Sequence, residues 1–326
     1  MHESHASSLA ILDLCLLPAL LGEFDLKPGP LRPDLTMPGS PERCLARQLV
    51  QDSDGGLWVL EHLFGGQRPR REGVARVLRA LKMAGLSGIP AYREVRGGGF
   101  AAVRQDGSWQ LAPFFPGDVL PRPAYIEDAQ RGASLARFLI ALRDASSLAL
   151  TKDAPAARLP AYVDELLGIV GRTRPELLPT LAPVRTGLEG LFAEWQALPR
   201  ALCHGDFHPL NVIWNGQEAA AVIDWEFTGP GPELYDAANM LGCVGSEDPR
   251  ALGRGLCAAF VTGLRAGGLL RKDNQHWLYP LTLALRFAWL SEWLRKDDGE
   301  MIAMETAYMR LILNSRQTLE RAWGIG

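Results

Sequence analysis

The feature that most constrains this chain lies at residues 202–223. Here a compact apolar stretch with Asn215-Gly216 near its middle interrupts a run of long helical patterns. Asn-Gly between apolar runs signals a tight hairpin, so the fold has to seat a short β-hairpin within a largely helical region. A polar loop precedes the hairpin, Cys203-His204-Gly205-Asp206-Phe207-His208-Pro209-Leu210-Asn211, and the return strand runs through Ala220–Ile223 into Asp224-Trp225-Glu226. Closing the hairpin brings Asn211 and Asp224 to the same end. One amide and one carboxylate supply hard oxygen donors and leave positions open for water and phosphate oxygens, the arrangement Mg2+ prefers. Asp206, five residues before Asn211, is then placed to accept a hydroxyl proton. Asp and Asn also cap loops through nearby backbone groups, which is the competing role for all three.

The first third of the chain is punctuated like a sheet. Short apolar runs 44–51 and 57–60 flank Asp52-Ser-Asp-Gly-Gly56, a hairpin with a Gly-containing loop, and residues 36–43 hold Pro38, Gly39, Ser40 and Pro41 and read as a loop. Val74, Val77, Leu78 and Leu81 recur at helical spacing over 70–85, which ends at Gly85. Further strands are expected over 92–95, 100–103 and 108–114, giving a sheet that carries one helix. From Tyr125 onward, helical patterns cover 125–149, 160–172, 183–197, 249–267, 275–296 and 300–323. Phe115-Pro-Gly-Asp118, with Pro121 and Pro123, reads as a hinge between an N-terminal part, 1–114, and a C-terminal part, 115–326.

Composition excludes several alternatives. A chain of 326 residues with 34 Lys+Arg against 37 Asp+Glu has a net charge of −3, so no global field draws it to nucleic acid or an anionic membrane. The cysteines at 15, 44, 203, 243 and 257 are odd in number and lack C-x-x-C spacing, which suggests neither a disulfide framework nor a zinc site and fits a reducing compartment. The most apolar N-terminal segment, 9–21, is broken by Asp13 and Pro18 and has no Lys or Arg before it. The expectation is a cytoplasmic protein with neither a membrane nor a nucleic-acid partner.

Asp, four residues, Asn, then a second Asp after a hairpin is also the order of the kinase catalytic and metal-binding segments. His204-Gly-Asp-Phe-His-Pro-Leu-Asn211 with Ile223-Asp-Trp-Glu226 resembles the aminoglycoside phosphotransferase and choline kinase-like family, the small-molecule branch of the kinase fold. The resemblance covers about residues 24–323, with its sharp motifs within 203–239. It implies an α+β, two-lobed protein-kinase-like fold, with a small N-terminal antiparallel sheet lobe carrying one helix and a larger, mainly helical C-terminal lobe. It also implies that Asp206 is the catalytic base, that Asn211 and Asp224 hold Mg2+, and that His204 braces the catalytic loop. A core histidine that orients backbone and an acid–base group are the two roles open to His204. The stretch Pro232-Glu-Leu-Tyr-Asp236-Ala-Ala-Asn239 resembles the family segment in which an Asp supports that loop from beneath. The implied reaction is ATP-dependent phosphorylation of a small-molecule hydroxyl on an amino alcohol, an amino acid such as homoserine, a sugar or an aminoglycoside. The alternative is a pseudokinase-like binding or scaffold protein.

That alternative is motivated by one departure. Where the kinase fold carries a strand lysine paired with a helix glutamate, the strand reads Leu57-Trp-Val-Leu-Glu61, and a carboxylate there repels phosphates. Glu72 looks like the usual helix partner, yet two glutamates cannot pair. Arg47, or one of Arg68, Arg70 and Arg71, is the candidate replacement cation, since a guanidinium grips phosphate bidentately. Other nucleotide candidates are Gly39 and Ser40 in the loop over the phosphates, and Ala112 and Phe114 in the segment 111–115 that resembles the adenine-binding backbone. His208 and Glu226 either face the acceptor or serve as packing and turn residues. Arg286, Trp289 and Trp293 share one helical face, either as an aromatic wall at the acceptor or as a buried face with a snorkelling arginine. Asp297, Asp298 and Glu300 either attract a cationic acceptor or cap a helix.

Overall fold

The computed structural model describes residues 16–30, 32, 34, 35, 37, 44–146 and 158–325. They fall into two compact units: those of 1–117 together with 220–226, and those of 118–219 with 227–326.

The first unit is built on a four-stranded antiparallel sheet of order β1-β2-β4-β3. The hairpin of β1 (Ala46–Gln51) and β2 (Leu57–Leu63) forms as expected, with Gln51 opposite Leu57 and Ala46 opposite His62. Asp52 fixes its loop: Oδ1 accepts the amides of Asp54 and Gly56, and Oδ2 accepts Trp58 Nε1. Helix α1 (Leu17–Glu23) buries Leu17, Leu20 and Leu21 against Val50, Leu60, Trp109 and Leu111 of the sheet. Residues 9–15 of the apolar N-terminal segment lie outside the described residues.

Helix α2 (Arg68–Met83) buries Val74, Val77, Leu78 and Leu81, the stripe read from its periodicity. It ends in a Schellman arrangement in which Gly85, at φ +95, lets the Leu86 amide reach the Leu81 carbonyl. Strands β3 (Ala102–Arg104) and β4 (Gly107–Pro113) complete the sheet. No strand forms over 92–95, contrary to expectation. Arg93 donates one backbone bond to Leu111, and the chain then turns through Gly98 and Gly99, both at positive φ. Downstream, the Glu72 carboxylate takes the amides of Phe100 and Ala101, so those groups are withdrawn from strand pairing and β3 starts only at Ala102.

In the second unit, α3 (Ala129–Ala145), α4 (Leu159–Thr173), α5 (Leu178–Thr186) and α6 (Glu189–Ala193) lead to β5 (Arg200–Cys203). The expected helices over 125–149 and 183–197 are thus realised in shorter pieces, and residues 147–149 lie outside the described residues. The apolar stretch at 202–223 supplies strands to two small sheets rather than one hairpin alone. β5 pairs antiparallel with the later β8 (Gly229–Pro232), and β6 (Val212–Asn215) pairs with β7 (Glu218–Val222) across Gln217 and Gly216. The turn is held from α3 and the segment before it: Gly216 donates to the Asp118 carboxylate at 2.7 Å, Arg131 donates to the Gly216 carbonyl at 2.8 Å, and Gln217 donates to Asp128. A rigid anchor for this turn fixes where both strands of the hairpin end.

The remaining helices are α7 (Tyr235–Glu247), α8 (Gly255–Ala266), α9 (Leu278–Arg295), α10 (Gly299–Asn314) and α11 (Arg316–Ala322). α3 packs on α8, and α9 lies between α7 and α10. Gly132 is what allows the first contact, because a Cβ there would stand 2.0 Å from the Leu256 carbonyl oxygen. Helix α7 was not anticipated. Its side chains are buried on nearly every side, so it shows no polar face and no amphipathic stripe. Among the described residues, no helix is long and apolar enough to cross a membrane.

Candidate active site

The loop from β5 to β6 is shaped by groups that leave little freedom. Thr228 Oγ1 donates to the Cys203 carbonyl at 2.8 Å where the loop begins. Gly205 adopts φ +89, and a Cβ on it would lie 2.4 Å from the Phe227 carbonyl oxygen, so the position demands glycine. Asp236, in the first turn of α7, accepts the His204 amide through Oδ2 at 2.7 Å and the Gly205 amide through Oδ1 at 2.9 Å. This is the support from beneath that the resemblance implied. Burial pushes the Asp236 carboxyl up to about 6; the two amide bonds oppose that rise and the charge of Asp206 adds to it.

His204 is fully buried, and its Nδ1 accepts the Asp206 amide at 3.1 Å, which leaves the ring proton on Nε2. Its ring meets Phe207 edge-on, and Phe207 stacks on Phe138. Of the two roles open to His204, the geometry matches the one that orients backbone.

Asp206 keeps 18% of its side chain exposed. Asn211 Nδ2 donates to its carbonyl at 2.9 Å and to Oδ2 at 3.1 Å. From α7, Asn239 Nδ2 donates to the Phe207 carbonyl at 3.2 Å and reaches Asp206 Oδ1 at 3.5 Å. His208 accepts the Leu210 amide on Nδ1 and places Nε2 3.6 Å from Asp206 Oδ2. Trp289, half-buried on α9, meets the His208 ring edge-on at 5.7 Å, with its Nε1 3.5 Å from Asn239 Oδ1. His204, Asp206, His208, Asn211 and Trp289 are therefore brought together. Arg286 belongs to the core instead, in a buried two-bonded ion pair with Glu305. Asp298 caps α10, Asp297 bonds Arg174, and Glu292 is taken up by Arg295 and Lys296, whose cations hold its carboxyl down at about 2.

In the first unit, Asp224 adopts φ +71, a left-handed conformation uncommon outside glycine. Its segment is seated by Gly88, whose carbonyl accepts the Val222 amide at 2.8 Å, and by Arg70, which donates to the Glu226 carbonyl. Glu61 lies opposite Arg47 in the β1–β2 register, with Arg47 Nε 3.6 Å from Oε1, and its Oε2 is bonded by Arg71 of α2. Glu72 is no partner to a strand cation; it caps the loop before β3. The Phe114 amide donates to Leu57, and Ala112 lies opposite Val59 within the sheet. Antiparallel alternation therefore turns the backbone groups of Ala112 toward β2 and leaves the Pro113 carbonyl facing away from it. Gly39 and Ser40 lie outside the described residues.

Asn239 and Arg71 are the site residues that sequence reasoning did not single out. The spacing Asp236 to Asn239 was the available signal for the first, since i and i+3 share a helix face. Nothing in the sequence marks Arg71 above Arg68 and Arg70.

The family model described as "Phosphotransferase enzyme family" matches residues 46–270. Homoserine kinases from Pseudomonas aeruginosa and Beijerinckia indica are similar at 29% identity over 170 residues and 31% over 187. These matches cover 50% and 55% of this chain and 52% and 57% of the relatives, so the chain spans about half the length of the curated relatives it matches. Among solved structures, an aminoglycoside phosphotransferase from Alicyclobacillus acidocaldarius superposes with a TM-score of 0.62 at 16% identity, covering 98% of this chain and 100% of that one. Amicoumacin kinase in complex with AMP-PNP and Ca2+ gives 0.61 at 14%, covering 91% and 93%. Both share the kinase-like fold, a small antiparallel sheet part with a larger helical part.

Proposed function

The chain belongs to the phosphotransferase enzyme family, and from that premise we propose that it is an ATP-dependent kinase acting on a hydroxyl of a small molecule. The observation that carries this reading is Asp206, a part-exposed carboxylate with one oxygen bonded by Asn211 and the other approached by Asn239, on a loop pinned by Asp236. Neutral amides aim the carboxylate without discharging it, which is what a proton acceptor requires. Asp206 takes the hydroxyl proton as the acceptor oxygen bonds the γ-phosphorus and the bond to the departing ADP oxygen breaks. Orientation supplies most of the rate in this chemistry, and a placed base contributes about 10²–10⁴-fold.

The donor set fits a hard divalent cation. Asn211 spends Nδ2 on Asp206, so its amide oxygen is the ligating atom, and Asp224 offers a carboxylate. Among the described residues no group of three or more His, Cys, Asp or Glu is placed to hold a metal, and an Asn/Asp pair leaves positions for phosphate oxygens and water, as Mg2+ prefers. Bound there, Mg2+ neutralises charge on the phosphates. Residues 1–114 serve the nucleotide, with the Pro113 carbonyl available to adenine, and 115–326 serve the acceptor, with His208 and Trp289 beside Asp206. The location is the cytoplasm, where ATP is abundant and where Cys44, Cys203, Cys243 and Cys257 stay as the free thiols they are here.

The homoserine kinase relatives make homoserine the first acceptor to try. The non-catalytic alternative rested on Glu61, and the engagement of that carboxylate by Arg71 and Arg47 removes its motive. The test is ADP release from Mg·ATP across a panel of hydroxyl-bearing metabolites that includes homoserine, choline, sugars and an aminoglycoside. Acceptor-dependent release is expected for one chemical class. Release no greater than the acceptor-free rate across the panel, with Mg·ATP giving no thermal shift at millimolar concentration, favours the scaffold.

A further inference from the structure

We propose that the phosphate anchor of this chain is Arg71 of α2, held in place by Glu61 of β2 and flanked by Arg47 of β1. The strand–helix ion pair is thereby inverted: the strand supplies the carboxylate and the helix supplies the cation. The inference rests on the kinase reading and adds to it the group that grips the nucleotide's phosphates.

Four observations converge on the cluster. Arg47, Glu61 and Arg71 keep only 14%, 15% and 12% of their side chains exposed, so the charges sit largely out of water. Two guanidiniums address one carboxylate, and a largely buried cation in excess is costly unless an anion completes it. Arg71 Nε is buried and has no hydrogen-bond partner among the described residues. Arg68, Arg70 and Arg71 all fall in the first turn of α2, the end at which the helix dipole disfavours cations and favours anions.

Neighbouring groups fit the same role. The Arg71 guanidinium lies 5.6 Å over the Tyr92 ring, which orients its plane. Burial raises the Tyr92 hydroxyl, and Glu61 and Asp224 raise it further, so Asp224 acts on the same cluster. Glu226 acts on Arg71 as well. With Asp224 engaged by a divalent cation, the positive excess is left for the nucleotide. A guanidinium also offers two parallel N–H donors to a phosphate, which a lysine cannot.

Isothermal titration with Mg·ADP and, separately, with adenosine tests this, because adenosine lacks the phosphates. Arg71→Ala is expected to weaken Mg·ADP by about 10–100-fold, the worth of a charge-assisted contact, and to change adenosine by less than about twofold. Should that variant fail to fold, the swap Glu61→Lys with Arg71→Glu restores a strand cation and a helix carboxylate, and is expected to bind Mg·ADP within about tenfold of the unsubstituted protein. Mg·ADP affinity unchanged in Arg71→Ala, parallel loss of adenosine, or a folded swap variant without Mg·ADP affinity overturns the inference and leaves the kinase reading standing. An unsubstituted protein that binds no Mg·ADP overturns both.

Discussion

Asn211 Nδ2 donates to both the carbonyl and the carboxylate of Asp206, at 2.9 and 3.1 Å, so the proposed metal ligand and the proposed base are held by one amide group. Replacing that amide by a carboxylate removes the donor and sets two like charges side by side. Like charges resist joint ionisation. Asn211→Asp is therefore expected to move the acid limb of the pH–rate profile to higher pH and to lower kcat at pH 7 by at least about tenfold. A profile superposable on that of the unsubstituted protein shows that the contact has no such role.

Asp236 carries a stability signature. Its carboxyl is raised from 3.8 to about 6, chiefly by burial. A raised carboxyl stabilises the fold fully below the unfolded value near 3.8, and this contribution is lost as pH rises through about 6. The rise corresponds to about 3 kcal/mol at most, to order of magnitude. Urea unfolding of the unsubstituted protein and of Asp236→Asn from pH 4 to 7 reads it directly. The unsubstituted protein's stability advantage over Asp236→Asn is expected to narrow as pH rises; an advantage that widens contradicts the assignment.

Asn239 tests whether aiming Asp206 matters apart from holding the loop. Asn239→Ala removes a donor to Asp206 Oδ1 and Phe207 O. The expected result is a fall in kcat of about tenfold with KM for ATP little changed, the pattern of a lost transition-state contact. Steady-state kinetics with varied ATP distinguishes this from a general loss, in which both parameters move.

The ion pair of Arg286 and Glu305 is a core element, 2% and 0% exposed. Removing one partner by Arg286→Met strands a buried carboxylate, at an expected cost of about 3–5 kcal/mol. Pairing it with Glu305→Leu is expected to recover much of that loss in urea denaturation. If the double variant is less stable than the single one, the pair is more than a satisfied charge couple.

Legibility in the sequence followed local chemistry. The β1–β2 hairpin, the apolar stripe of α2 and the loop 203–211 were readable because turn residues, helical spacing and motif order are written within a few residues of one another. Helix α7 was hidden because it is buried on nearly all sides and shows no polar face. The expected strand at 92–95 failed because Glu72, distant in sequence, takes the amides that β3 would need to begin earlier. The missing strand lysine has its answer in a contact between β2 and α2, ten residues apart, whose partner no spacing rule picks out among three adjacent arginines. Asp206 as proposed base was legible from motif alone; the amides that aim it became visible only once α7 was packed beside the loop.

The most direct measurement is phosphoryl transfer by Asp206→Asn to whichever alcohol the unsubstituted protein phosphorylates, alongside Mg·ADP affinity for the same sample. Transfer is expected to fall by at least about a hundredfold with affinity within about threefold, because a placed base contributes to rate rather than to nucleotide binding. Turnover close to that of the unsubstituted protein contradicts the assignment of Asp206 as the proton acceptor.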